Sequence, residues 1–109
     1  MKETKLPTIE EIKEKVLPVL ARYHARRAGL FGSVVHGEMT EDSDIDILVE
    51  LNEDLSLLDV SRINRELEEA LGRKVDLVEY EAIKPRIRER ILAEEVPIYE
   101  KEERRQALS

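Results

Sequence analysis

The chain has 109 residues, of which 41% are hydrophobic and 39% are charged, and its formal net charge is −7. This length and composition predict one globular domain and exclude a disordered chain. The acidic balance argues against bulk binding of duplex DNA or RNA, and the absence of cysteine excludes disulfides and thiolate metal sites. No apolar run is long enough to span a bilayer, so we expect a cytoplasmic protein without membrane contact. Because of the acidic charge, we also expect no direct nucleic-acid binding.

The first third of the chain predicts a helix followed by a short strand. Thr8 can cap the helix in a capping box, and apolar residues follow it at helical spacing. Pro18 is expected to kink or split this helix, and Gly29, after a basic pair, is expected to end it. A buried strand is predicted at 28–31, and a short helix is expected to begin near Ser33.

The rest of the chain predicts alternating strands and helices. Ser56 is expected to cap a helix whose apolar face includes Leu57. The predicted elements are a strand at 44–51, a helix at 56–71, a strand at 75–78, a helix at 83–95 with Pro85 in its first turn, an edge strand at 96–99 and a charged tail at 101–109. This alternation predicts an α/β domain in which helices flank a small mixed β-sheet of about four strands, with a core over about residues 8–100.

Two aspartates, Asp44 and Asp46, lie in an apolar strand and share one face of it, because strand side chains alternate. Asp76 stands among apolar residues in the next predicted strand. If these strands are neighbours, the three carboxylates can face one point; otherwise they are ordinary exposed acids. Crowded carboxylates favour a bound cation, and oxygen ligands suit magnesium. We therefore predict Asp44, Asp46 and Asp76 as catalytic residues and as ligands of two Mg²⁺ ions, an arrangement suited to in-line displacement at phosphorus.

Ten residues separate the Gly32-Ser33 turn from Asp44. Glycine lets the backbone approach a phosphate, and Ser33 can donate its hydroxyl and N–H at a helix start. Such a pair can also be a simple turn, but its place between a buried strand and the aspartates favours a triphosphate site. His36 lies in the same motif and can contact phosphate or base, whereas His24 is predicted to be a surface or packing residue.

A basic cluster after the third strand has two interpretations. One is a solvated helix face, and in the other interpretation one of its residues, or Lys74, steers a triphosphate or a partner. Its members are Lys84, Arg86, Arg88 and Arg90.

The spacing Gly32-Ser33, ten residues, Asp44-Ile45-Asp46, with Asp76 in a later strand, resembles the DNA polymerase beta nucleotidyltransferase superfamily. The short length and the segments 31–33, 37–38 and 43–49 resemble the minimal nucleotidyltransferase (MNT) family of bacteria and archaea. The likeness covers most of residues 8–100. It implies a polymerase-beta-like core with no substrate domain of its own.

The resemblance also implies an activity and a partner. MNT antitoxins commonly pair with a HEPN-domain ribonuclease toxin and transfer AMP from ATP onto one of its tyrosines. By this resemblance, Gly32 and Ser33 bind the triphosphate, Asp44 and Asp46 bind Mg²⁺, and Asp76 is the third carboxylate. His36 stands where the family often has arginine, so one phosphate or partner contact differs here.

Two other functions stay open at this point. The chain can be a binding module that neutralises its partner by stoichiometric occlusion. It can also modify a small molecule, as aminoglycoside nucleotidyltransferases do, if a dimer or a partner supplies the acceptor site.

Overall fold

The computed structural model describes residues 6–101, so the predicted charged tail lies outside the described residues apart from Lys101. The elements alternate between helix and strand, as predicted. They are α1 (Ile9–Arg22), β1 (Arg27–Phe31), α2 (Ser33–His36), β2 (Ile45–Glu50), α3 (Leu57–Leu71), β3 (Val75–Glu79), a 3₁₀ turn (Tyr80–Ala82), α4 (Pro85–Glu94) and β4 (Val96–Glu100). No helix within residues 6–101 is both long and apolar enough to cross a membrane.

The four strands form one mixed sheet in the order β3-β2-β1-β4. β1 runs antiparallel to both β2 and β4, whereas β2 and β3 are parallel. A parallel pair needs a crossover connection, and α3 provides it. β4 lies at the sheet edge, where its Pro97 is tolerated, which confirms the predicted edge strand.

The main core lies between one face of the sheet and the helices α1 and α3. Side chains from Ile12 and Leu20 on α1 and from Ile63 on α3 are fully buried against Ile45 and Ile47 of β2. Both helices begin with a capping box, α1 at Thr8 and α3 at Ser56. The sequence predicts both the capping box at Thr8 and the cap at Ser56.

The opposite face of the sheet carries a second, smaller apolar cluster. Leu48 of β2 is fully buried there, together with Tyr80 and Ile83 from the segment that follows β3. The face that carries the aspartates is therefore partly covered, because the chain after β3 folds back over it.

The predicted end of the first helix is wrong. The helix ends at Arg22, and Gly29 is a buried residue in the middle of β1. His24 adopts a positive φ of 56°. The N–H groups of His24 and Ala25 donate to the carbonyls of Ala21 and Leu20, which is the hydrogen-bond pattern of a Schellman motif. Histidine thus occupies the position in which sequence reasoning expects glycine.

Two further expectations differ in part from the structure. Of the kink or split expected at Pro18, the split does not occur, because α1 is continuous from Ile9 to Arg22. The Pro18 side chain faces solvent, and Val16 and Val19 beside it are buried in the core, so packing holds the helix across the missing donor. Leu57 is not part of the apolar face of α3, because its side chain is 86% exposed at the first turn.

Candidate active site

The strands β2 and β3 place Asp46 and Asp76 directly beside each other. The two residues are register partners in the parallel pair, so their side chains leave the same face of the sheet. Asp46 is half-buried there. Burial, followed by the charges of Asp76 and Asp44 and a hydrogen bond with Asp76, raises the pKa of Asp46 from 3.8 to about 6.

Gly32 brings the chain into contact with this carboxylate pair. Phe31 pairs with Asp46 across β1 and β2, and Gly32 follows it with φ 82° and ψ −148°. This backbone conformation is almost restricted to glycine. A Cβ at Gly32 would also overlap with Oδ2 of Asp46 and would lie 3.1 Å from its Cγ. The position therefore excludes a side chain for two independent reasons.

The short helix α2 begins at Ser33, as predicted, and directly follows Gly32. The N–H groups of Val35 and His36 donate to the carbonyl of Gly32 and form the first helical hydrogen bonds. Ser33 and Val34 precede these bonds, so their N–H groups belong to the turn beside Asp46. Strand pairing and the glycine turn thus bring the predicted phosphate motif and the predicted metal motif together.

Asp44 is less closely associated with this pair. It is exposed and lies one residue before β2, which begins at Ile45 rather than at 44 as predicted. Within residues 6–101 no three Asp, Glu or His side chains form a group that could hold a metal ion by itself. The expected convergence of three carboxylates is therefore realised for Asp46 and Asp76, with Asp44 contributing to the local negative charge.

Arg73 organises the loop that carries Asp44, a role that sequence reasoning missed. Its Nη1 donates to the backbone carbonyls of Thr40 and Ser43 at 3.2 and 3.0 Å. Ile45 at the start of β2 donates to the carbonyl of Lys74 at 3.0 Å. The sequence signal for this role is the position of Arg73 between Gly72, which ends α3, and β3. From there its side chain can reach the loop that precedes the neighbouring strand β2.

His36 contacts another element instead of projecting freely from the turn. Its Nε2 lies 3.1 Å from Oε1 of Glu94, at the end of α4, and both side chains are more than two-fifths exposed. The contact joins the glycine-serine turn to α4. His24, in contrast, has its role in the helix end described above.

The basic cluster divides into different environments. Arg88 donates from Nη1 to the carbonyl of Tyr80 at 2.8 Å and so ties α4 to the 3₁₀ turn. Lys84, Arg86 and Arg90 are exposed. The interpretation as a solvated helix face therefore fits Arg86 and Arg90, whereas Lys84 precedes α4 and Arg88 is structural.

The site fits magnesium by the chemistry of its donors. Mg²⁺ is commonly bound through one or two carboxylates, and substrate phosphates and water complete its octahedral shell. Asp46 and Asp76 supply two hard oxygen donors whose mutual repulsion a cation would relieve. A complete protein cage is not required for such a site.

Fold and site together define a nucleotidyltransferase of the polymerase beta type. The family model "Polymerase beta, Nucleotidyltransferase" matches residues 14–104, and the chain belongs to this family.

The more particular similarity is to small adenylyltransferases. A protein of Methanocaldococcus jannaschii assigned as a protein adenylyltransferase is 49% identical over 90 residues, which are 83% of this chain and 97% of that protein. The protein adenylyltransferase MntA of Thermococcus cleftensis is 43% identical over 94 residues, with coverage of 82% and 94%. These relatives confirm that the chain is a member of the MNT group.

Solved structures agree with the fold. A minimal nucleotidyltransferase structure superposes with a TM-score of 0.75 at 41% identity and covers 87% of this chain and 99% of the other. A complex of an MNT antitoxin with a tri-AMPylated HEPN toxin from Shewanella oneidensis matches with a TM-score of 0.64 and covers 84% of this chain and 72% of that chain. Its identity is 20%, so this second likeness concerns the fold alone.

Proposed function

We propose that this chain is a magnesium-dependent protein adenylyltransferase that transfers AMP from ATP to a hydroxyl group, that of a tyrosine, on a HEPN-type toxin, and so acts as its antitoxin. The observation that carries the proposal is the pairing of Asp46 with Asp76 against the Gly32 turn. Paired carboxylates can bind a metal ion, and the backbone N–H groups of the adjacent turn can bind phosphate oxygens, so the two together suit a metal-bound polyphosphate. The names of the two relatives support the choice of AMP and of a protein acceptor.

Asp46 and Asp76, with Asp44 beside them, are the residues that would hold Mg²⁺, two ions in the full arrangement. Bound there, the metal would supply positive charge to the triphosphate and to the oxygens that attack and leave. The raised pKa of Asp46 supports this assignment, because its burial and then the charges of Asp76 and Asp44 disfavour the ionised carboxylate, and a bound cation would offset both effects.

The protein groups have separate roles in the proposed transfer. Gly32 and Ser33 would hold the triphosphate through backbone N–H groups and the Ser33 hydroxyl. The acceptor oxygen would attack the α-phosphorus in line, the bond to the β-phosphate oxygen would break, and pyrophosphate would leave. Asp76 would accept the proton of the acceptor hydroxyl. His36, which contacts Glu94 of α4, would contact phosphate or base from the glycine-serine turn.

The partner is proposed from charge and from structural likeness. The net charge of −7 on a small domain suits docking onto a basic, RNA-binding surface of a ribonuclease. In the Shewanella oneidensis complex a chain of the same fold binds a HEPN toxin, and we extend this class of partner to this chain. If this docking is electrostatic, association should weaken as salt is raised, and salt-independent binding or an acidic partner would contradict it.

The test is intact mass spectrometry of a HEPN-domain protein encoded beside this chain, after incubation with this protein and Mg-ATP. A gain of one or more AMP units is expected with the native chain and none with Asp46→Asn. Asp54→Asn is the matched control, because it removes the same charge from an exposed loop position. No mass gain, together with a tight complex that still neutralises the toxin, would replace the proposal by the occlusion module.

A further inference from the structure

An apolar cavity of about 330 Å³ lies beside the carboxylate pair on the same face of the sheet. Asp76 and Lys84 are the polar side chains among the residues that line it. Its apolar wall is formed by Phe31, Leu48, Val78, Ile83, Ile87 and Ile91. None of the roles assigned above to the phosphate turn or to the metal ligands uses this space.

The position of the cavity follows from strand periodicity. Val78 lies two residues after Asp76 on β3, and its register partner is Leu48, two residues after Asp46. The floor of the cavity is therefore the direct continuation of the carboxylate pair along the two strands. The segment after β3 and the helix α4 form the opposite wall, and Ile87 is 42% exposed at its open side.

We propose that this cavity is the acceptor subsite and that it binds the aromatic ring of a phenolic side chain, with its hydroxyl at Asp76. This inference rests on the proposed function and assigns its acceptor to particular residues. A phenol has an apolar ring and one polar atom at its end, which matches an apolar cavity with a carboxylate at one side. A purine carries polar nitrogens around both rings, and this lining would leave most of them without partners.

The size of the cavity is compatible with this occupant. About 330 Å³ lies within the range for ligand pockets and gives room for a single aromatic ring. Lys84 lines the cavity as well, so the lining carries one cation besides the carboxylate of Asp76. The apolar side chains of the lining can pack against an aromatic ring, which an aliphatic hydroxyl such as that of serine lacks, so the cavity favours tyrosine.

The test is a methyl NMR titration of the isolated chain, which needs no ATP, metal or partner. The probes are N-acetyl-L-tyrosinamide, N-acetyl-L-serinamide and adenosine. We expect the tyrosine derivative to shift the methyl resonances of Val78, Ile83 and Ile91, with smaller effects of the other two compounds, and to leave Leu58 on α3 unchanged. Absence of these shifts, or shifts with adenosine that equal or exceed them, would overturn the assignment.

Variants at the cavity entrance sharpen the result. Ile87→Asp places a carboxylate at the open side of the cavity, and because Ile87 is partly exposed the protein should still fold. Binding of N-acetyl-L-tyrosinamide should weaken by roughly tenfold or more, whereas the control Leu57→Asp on the exposed start of α3 should bind normally. Equal binding by both variants would refute the subsite. If the native chain binds N-acetyl-L-tyrosinamide in the cavity but transfers no AMP, the result instead counts against the proposed function.

Discussion

Replacement of Asp46 by asparagine should stabilise the metal-free protein at neutral pH while it removes the proposed activity. Asp46 is half-buried and lies beside Asp76, and these surroundings raise its pKa from 3.8 to about 6. At pH 7.5 the native side chain is therefore ionised in a position that disfavours its charge. Asparagine has nearly the same shape and carries no charge. The variant therefore lacks both the cost of a partly buried charge and the repulsion between Asp46 and Asp76.

The pKa shift sets the scale of the effect. A shift from 3.8 to about 6 corresponds to about 3 kcal/mol at 1.36 kcal/mol per pKa unit. Asp46 is partly exposed, and solvent screening reduces this to about 1–2 kcal/mol. For a domain of this size such a gain raises the Tm by roughly 5–10 °C.

The pH dependence has a defined sign. The pKa of Asp46 is higher in the folded than in the unfolded chain, so protonation favours folding. The native protein should gain stability relative to Asp46→Asn as pH falls through about 6, and the difference should vanish below about 3.8.

Thermal unfolding in EDTA at pH 7.5, 6 and 4.5 measures this difference. Asp54→Asn is the control, since it removes an equal charge from an exposed position and should change the Tm little at any of these pH values. The reasoning is refuted if Asp46→Asn is no more stable than the native protein at pH 7.5. It is also refuted if the gain in Tm is the same at pH 4.5.

Two glycine substitutions test the close contacts of the fold. Gly32→Ala should abolish AMP transfer and cost about 1–3 kcal/mol, because the new Cβ is strained at φ 82° and displaces the carboxylate behind it. Gly72→Ala, at φ 69° with open space around its Cβ, should lower the Tm without loss of transfer, and equal loss in both variants would contradict this. Gly29→Ala should cost about 1–3 kcal/mol, because its Cβ forces Glu95 away from the hydroxyl of Tyr80, which donates to it. In a Glu95→Ala background the same substitution should cost much less in urea denaturation, and an unchanged cost would show that another contact is responsible.

Local sequence signals were sufficient for most of the elements. The capping box at Thr8, the serine cap at Ser56 and the apolar alternation around Asp46 predicted α1, α3 and β2 to within one or two residues of their observed ends, apart from the end of α1. Caps and periodicity act over a few neighbouring residues, so the chain order alone reveals them. The aspartates and the Gly32 turn could be predicted as candidate site residues for the same reason, because each stands out from its immediate sequence neighbours.

Contacts between distant segments could not be predicted in this way. The residue with positive φ that follows the first helix is His24 rather than Gly29, and Glu94 contacts His36. Both features depend on tertiary packing between segments that are distant in the sequence. Likewise, the cover over the aspartate face comes from residues more than thirty positions after β2 begins, around Ile83.

The order of helices and strands and the chemical groups of the site could thus be predicted from local patterns. The pairing of Asp46 with Asp76, the marginal place of Asp44 and the adjoining apolar cavity become visible only in the folded chain. The register between β2 and β3 and the packing of α4 on the sheet are set by long-range burial, which no local pattern encodes.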